Sequence, residues 1–191
     1  MNEIIFVFCA FAASVISGIV GFGTGLILIS IGSFFYEIKE TIVLANIFFI
    51  GVTISRTFLY WRDIDWKLLG LVFAAGLPMI FVGANLLIPI DDRIIRIVLG
   101  VSILFYVVNA HFGFTRNIKV NNKLIIGGGG LWGFLGGFVG DGNVDKAALF
   151  DHIGIRKEAF VATMASTSLV GNFIKYFIYK KLNYASQENL T

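Results

Sequence analysis

The sequence predicts an all-α fold, a polytopic transmembrane helical bundle with an internal repeat whose second copy is incomplete. Three observations carry this reading. Of 191 residues, 57% are hydrophobic and only 14% charged, whereas soluble domains are about one-quarter charged. Apolar stretches recur along the whole chain, at residues 4–35, 41–60, 68–90, 97–112, 124–140 and 159–179, and several reach the ~20 residues a helix needs to cross a bilayer. The polar connections between them, at 37–40, 62–67, 91–96, 111–123 and 151–158, are too short to form separate domains.

The first stretch, residues 4–35, is read as a broken helix. At ~1.5 Å per residue it is too long for one upright span of ~30 Å and too short for two, so a tilted broken helix and a re-entrant hairpin both fit. Its middle carries Gly21, Gly23 and Gly25, and glycine weakens a helix interior. Ala10-Phe11-Ala12 resembles a signal cleavage site, but no basic side chain precedes the apolar run, so the segment is expected to be retained. Helices at 41–60, 66–90 and 94–112 complete a first repeat over residues 1–112. Pro78 is expected to kink the helix at 66–90, and Pro89 stands at its end. On the same helix Gly70, Gly76 and Gly83 are expected to admit close helix contacts. A second broken helix at 124–150 and a helix at 159–179 form the incomplete second repeat, 124–181.

The repeat emerges when the chain is slid along itself by 119 residues. "GIVGFG" (18–23) then falls on "GFVGDG" (137–142), so Gly18, Gly21 and Gly23 meet Gly137, Gly140 and Gly142. At the same offset Arg56 meets Lys175, Phe58 meets Phe177, Tyr60 meets Tyr179 and Arg62 meets Lys181. On this register the second copy lacks roughly two membrane helices, which leads us to expect a fragment, a natural truncation or one half of an obligate assembly. The distribution of Lys and Arg between the two sides is balanced for either path of residues 4–35, and only the hairpin makes the repeats inverted.

Composition also excludes function classes. The net charge of +3 is spread over short connections, with no basic run suited to nucleic acid. Cys9 stands alone, and the two histidines lack the Cys or carboxylate companions of a metal site. There is no Ser/His/Asp spacing and no HExxH, so no enzyme is expected, and no cofactor either. Gly-x-Gly-x-Gly reads as a dinucleotide loop only after a strand in a parallel sheet, a context absent here.

Glycines in matching halves instead suggest two discontinuous helices whose freed amides and positive N-terminal ends face an anion at mid-membrane. The candidate substrate-binding residues are Gly21, Gly23, Gly25, Gly140 and Gly142, with Arg56 and Lys175 as paired positive charges and Thr163 as a hydroxyl. The rival readings are helix packing for the glycines and snorkelling to the headgroups for the cations. Asp141 and Asp145, four residues apart on one helical face, are candidates for ion coupling; a wet loop near the surface is the preferred alternative. Asp145 or Lys146 could pair locally with Asp151 or with each other.

Three stretches carry a family resemblance: "GIVGFGTGLILI" near the start, "NIFFIGVTISRTFLYWRDIDWKLL" (46–69) and "GFLGGFVGDGNVDKAALFDHIGIRKEAFVATMAS" (133–166). In order and spacing the chain resembles the sulfite exporter TauE/SafE family of bacterial and archaeal membrane transporters. The resemblance implies a multi-pass protein of the prokaryotic plasma membrane, usually with about eight segments in two four-segment units, that moves small sulfur- or carbon-containing anions. It points to Gly21, Gly23, Arg56, Gly140, Thr163 and Lys175. The chain departs from the pattern at Ser30, where a proline often follows the break, and at Asp141 and Asp145, which replace small or apolar residues. The expected function is alternating-access transport of sulfite, organosulfonates or related carboxylates; the alternative is a truncated, non-transporting subunit that assembles with or regulates a partner. Expected partners are a small anionic substrate, membrane lipid, and either a second copy or a complementary membrane subunit.

Overall fold

The computed structural model describes residues 8, 11, 24–112, 121–155 and 157–188. Gly21 and Gly23 lie outside these residues. Among the described residues the regular structure is entirely helical. The α-helices are α1 (Thr24–Gly32), α2 (Ile38–Leu59), α3 (Trp66–Leu87), α4 (Asp92–Phe112), α5 (Asn122–Phe138), α6 (Asn143–Ile153) and α7 (Lys157–Glu188), with a 3-10 turn at Trp61–Asp63.

The polar connections start the helices. Asp65 accepts a hydrogen bond from Leu68 N–H at 2.9 Å and Asn121 one from Leu124 N–H at 2.8 Å, so each side chain satisfies an amide that the first turn leaves open. Inside α2, the hydroxyls of Thr41 and Thr53 donate to Glu37 O and Phe49 O within the same helix, which is how a polar group is tolerated away from water. α2 and α3 are each 22 residues long and contain an 18-residue stretch of mean hydropathy 1.9, long and apolar enough to cross a membrane. Phe58, Leu59, Phe81 and Val82 point outward from them, as expected where lipid rather than water is the solvent. Pro78 lies within α3, which stays helical on both sides of it, and Pro89 follows the helix end at Leu87.

α3 and α5 pack along a seam of glycines. Gly129, Gly133 and Gly137, four residues apart and so on one face of α5, press on the backbone of Val72, Gly76 and Ile80 in turn, while Gly83 of α3 meets the Phe134 carbonyl. A methyl group on Gly133 would overlap the Gly76 carbonyl. Removing side chains lets the two backbones touch, and their dispersion contacts replace the hydrophobic drive that lipid does not supply. Gly70 corrects the expectation made for it. It is exposed, and nothing lies within 4 Å of where its Cβ would stand, because it sits on a side of α3 turned away from the seam.

α2 and α7 run antiparallel. Asn46 Nδ2 donates to Asn172 O at 3.1 Å, whereas beyond the other end of α2 Asp65 N–H donates to Thr163 Oγ1 at 3.1 Å. Ile38, Ile42, Ala45 and Phe49 of α2 share a core with Ile178 and Tyr179 of α7, and Leu28 and Ile29 of α1 complete it. Leu68, Val72 and Ile80 of α3 form a second core with Trp132, Phe150 and Met164. The segment between α5 and α6 lies where these cores meet, since Phe138 and Val139 belong to the first and Trp132 and Ala147 to the second.

Candidate functional site

The helix break between α5 and α6 is built on Gly140. Its φ of 89° is left-handed, a conformation that glycine adopts without a steric penalty, and a side chain there would also strike Ile29 and Ile42. The turn aims the Gly140 carbonyl at α7, where Lys175 Nζ donates to it at 2.9 Å. Lys175 is only 5% exposed. One turn further along α7, Tyr179 donates from its hydroxyl to Gly137 O at 2.5 Å, so α7 covers both the last turn of α5 and the break.

Asp141 follows, also buried. Its Oδ1 accepts from Asn143 N–H at 2.8 Å, placing a carboxylate at the positive N-terminal end of α6. On its other side stands Gly25 of α1, where even a methyl group would overlap the carboxylate. The glycine-rich segment of the first half therefore touches the break of the second half.

Lys146, on the first turn of α6, is fully buried. Its ammonium donates to Thr167 Oγ1 at 2.7 Å, Ser168 Oγ at 2.8 Å and Met164 O at 3.2 Å, and it lies 4.3 Å from the centre of the Trp132 ring, a favourable cation–π position. Ser168 in turn donates to Asn143 Oδ1 at 2.7 Å. A small cavity beside this network is lined by Trp132, Asp141, Asn143, Ser168, Asn172 and Lys175, among others, and has room for about one water-sized body.

The structure thus gathers Gly25, Gly140, Gly142, Asp141 and Lys175 around one point. Gly142, at the N-cap of α6, packs so closely on the Trp132 carbonyl and Gly136 N that no side chain fits. The other candidates lie elsewhere. Arg56 is half-buried in the last turn of α2, near Tyr60, and does not line the cavity. Thr163 is buried but accepts from Asp65 N–H, tying the α2–α3 connection to α7. Asp145 is half-buried within electrostatic reach of Asp141, outside the cavity lining.

Two expectations are corrected. Asp141 is not in a wet surface loop, because α1 and α7 close over the break. Lys146 does not pair with Asp145 or Asp151 as its principal contact; the turn of α6 points it inward, onto hydroxyls, a carbonyl and an indole. Lys146, Trp132 and Ser168 were missed as site residues. The available signal was the spacing of Asn143 and Lys146, three residues apart on one helical face immediately after the break.

The family model for the sulfite exporter TauE/SafE matches residues 6–190. No curated protein and no solved structure matches the chain. With a match over nearly its whole length, the chain belongs to the sulfite exporter TauE/SafE family of integral membrane transporters, which are not enzymes.

Proposed function

We propose that the chain is a secondary transporter that binds small oxyanions, among them sulfite, organosulfonates and related carboxylates, at the α5–α6 break and moves them by alternating access. The observation that carries this reading is the burial of two lysines beside one helix break: Lys175 of α7 donates to Gly140 O in the break, and Lys146 of α6 donates to Ser168, which is itself bound to Asn143 at the start of α6. Buried ionisable groups within a membrane bundle are costly and mark substrate or ion paths. The two lysines have different roles. Lys146 directs donors to Met164 O, Thr167 and Ser168, so its three N–H groups are engaged and it contributes charge rather than a direct grip. Lys175 lines the cavity and gives Gly140 O one of its three donors, so it is the residue that grips an incoming oxyanion.

The antiparallel course of α2 and α7, the two helices that the 119-residue register pairs through Arg56 and Lys175, supports an inverted repeat, the architecture in which binding sites lie at broken helices between the halves. A cavity of water size must widen to take a sulfite-sized anion, which fits a site that opens by relative motion of its walls. The test is uptake of radiolabelled sulfite, methanesulfonate and acetate by proteoliposomes containing the purified chain. The wild type is expected to carry at least one of them, and Lys175→Ala to lower the flux about 30- to 160-fold, the loss expected for a charged hydrogen bond of ~2–3 kcal/mol. Flux unchanged in Lys175→Ala, or no flux with the purified wild type, would overturn the reading.

A further inference from the structure

We propose that the Asp141 carboxylate is a resident counter-anion of the site and that it restricts the transported species to singly charged oxyanions; the inference rests on the transport reading above. Three charged groups of the cluster are at most 5% exposed: Lys146, Lys175 and Asp141. Asp141 is the attractive charge neighbour of both lysines. Lys146 Nζ has three oxygen acceptors for the three N–H groups of an ammonium. With Lys175 also protonated, the two lysines against one carboxylate leave a single positive charge in a region where uncompensated charge is expensive. One negative charge on the substrate completes the balance. A second would leave an excess negative charge beside the carboxylate.

Geometry makes that carboxylate a fixture. Asp141 Oδ1 holds Asn143 N–H at the N-terminus of α6, the kind of position an anion's oxygen would otherwise take. From the opposite side Gly25 leaves no space for the carboxylate to retreat. An incoming oxyanion therefore binds next to Asp141, facing Lys175, and experiences its negative field. Asp145 stands outside the cavity lining and is partly exposed, so its charge is better screened than that of Asp141. Whatever part reaches the cavity acts further against a doubly charged ligand.

The experiment compares methanesulfonate, a monoanion, with sulfate, a dianion at neutral pH, by calorimetric titration of the purified full chain. The wild type is expected to bind methanesulfonate at least about tenfold tighter than sulfate. Asp141→Asn keeps the side chain's size and its acceptor for Asn143 N–H, and is expected to bring the ratio to within about threefold or to reverse it. Asp141→Asn combined with Lys146→Gln returns the buried charge to one positive and is expected to restore the tenfold preference, a recovery that a purely structural Asp141 would not produce. Equal binding of the two anions by the wild type, or a ratio unmoved in Asp141→Asn, overturns the proposal while leaving the transport reading intact. Binding of neither anion, nor of acetate, by the wild type overturns both. If Asp141→Asn does not purify as a folded protein, Lys146→Gln alone decides the question: it lowers the buried charge from one positive to zero, so a preference for methanesulfonate that rises above the wild-type ratio supports the proposal and an unchanged ratio overturns it.

Discussion

The two sides of α5 and the break that follows it are built on opposite principles. Towards α3 the contact is glycine on backbone, with Gly129, Gly133 and Gly137 seated on Val72, Gly76 and Ile80 and no polar side chain between them. Towards α7 the contact is made by ammonium groups, hydroxyls and amides: Lys146 on Thr167 and Ser168, Ser168 on Asn143, Lys175 on Gly140. A backbone seam has a single close-fitting arrangement, because any shift along it loses contact at every glycine together. Hydrogen bonds from flexible lysines can exchange one acceptor for another without loss of number. The comparison assigns the fixed wall of the site to α3 and α5 and the exchangeable wall to α6 and α7.

The largest effect is expected where the fixed wall is broken. Gly133→Val places two methyl groups into the Gly76 backbone, which cannot yield as a flexible side chain would. Overpacking of this kind exceeds the usual ~1–3 kcal/mol cost of an added core methylene, and the variant should fail to give a monodisperse peak on size-exclusion chromatography. Gly127→Val, on the same helix with nothing within 4 Å of its Cβ position, should purify like the wild type. Equal behaviour of the two variants would dismiss the seam as the scaffold.

The exchangeable wall should break differently. Lys146→Met removes a buried charge and leaves the hydroxyls provided for, since Thr167 donates to Thr163 O at 2.7 Å and Ser168 to Asn143 Oδ1. Removing one partner of a buried ion pair usually costs ~3–5 kcal/mol because a charge is left uncompensated, but here Asp141 keeps Lys175 as its charge neighbour, so no charge is orphaned. Thermal unfolding should therefore occur at the wild-type temperature or above it, while anion flux in proteoliposomes falls by about tenfold or more, the value of roughly 1.4 kcal/mol of lost electrostatic stabilisation. A variant that loses stability and flux in parallel would make Lys146 a structural residue.

The difference between the walls also explains what could be read from the sequence. Membrane class followed from composition, and the break from glycines that no amphipathic or capping pattern explained. The seam was half legible. Gly76 and Gly83 contact α5 while Gly70 does not, and the spacing of small residues on one helix does not say which of them faces a neighbour. The charged site was least legible, because burial there depends on tertiary cover. Asp141 in "GDGNVDK" has the composition of a loop, and only the approach of Gly25 and α7 encloses it. Arg56 and Lys175 were placed alike, each near a helix end. α2 does end at Leu59, but α7 continues to Glu188, so Lys175 lies in a helix interior and Arg56 near a terminus.

A smaller effect is expected at Tyr179, which reaches across from the polar wall to α5. Tyr179→Phe keeps the ring in its buried place and removes the bond to Gly137 O. Interhelical hydrogen bonds in membrane proteins average ~0.6 kcal/mol, so the thermal midpoint should fall slightly with anion binding preserved. A loss of binding comparable with that of Lys175→Ala would move Tyr179 from the wall into the site itself.

The smallest effect separates a glycine's intrinsic cost from its packing value. Gly70 lies inside α3, exposed, with no atom within 4 Å of its Cβ position. Nothing in the fold requires the missing side chain, so only the helix preference for alanine remains, about 0.5–1 kcal/mol in favour of the substitution. Gly70→Ala should raise the thermal midpoint slightly and leave flux unchanged. Gly76→Ala, two turns nearer the break on the same helix, must find room beside the Trp132 ring, 2.9 Å from where its Cβ would stand, and the Gly129 carbonyl at 3.1 Å. It should lower the midpoint despite the same gain in helix preference. If the two substitutions shift stability in the same direction, the seam tolerates added bulk, and the rigidity assigned to the α3–α5 wall is lost.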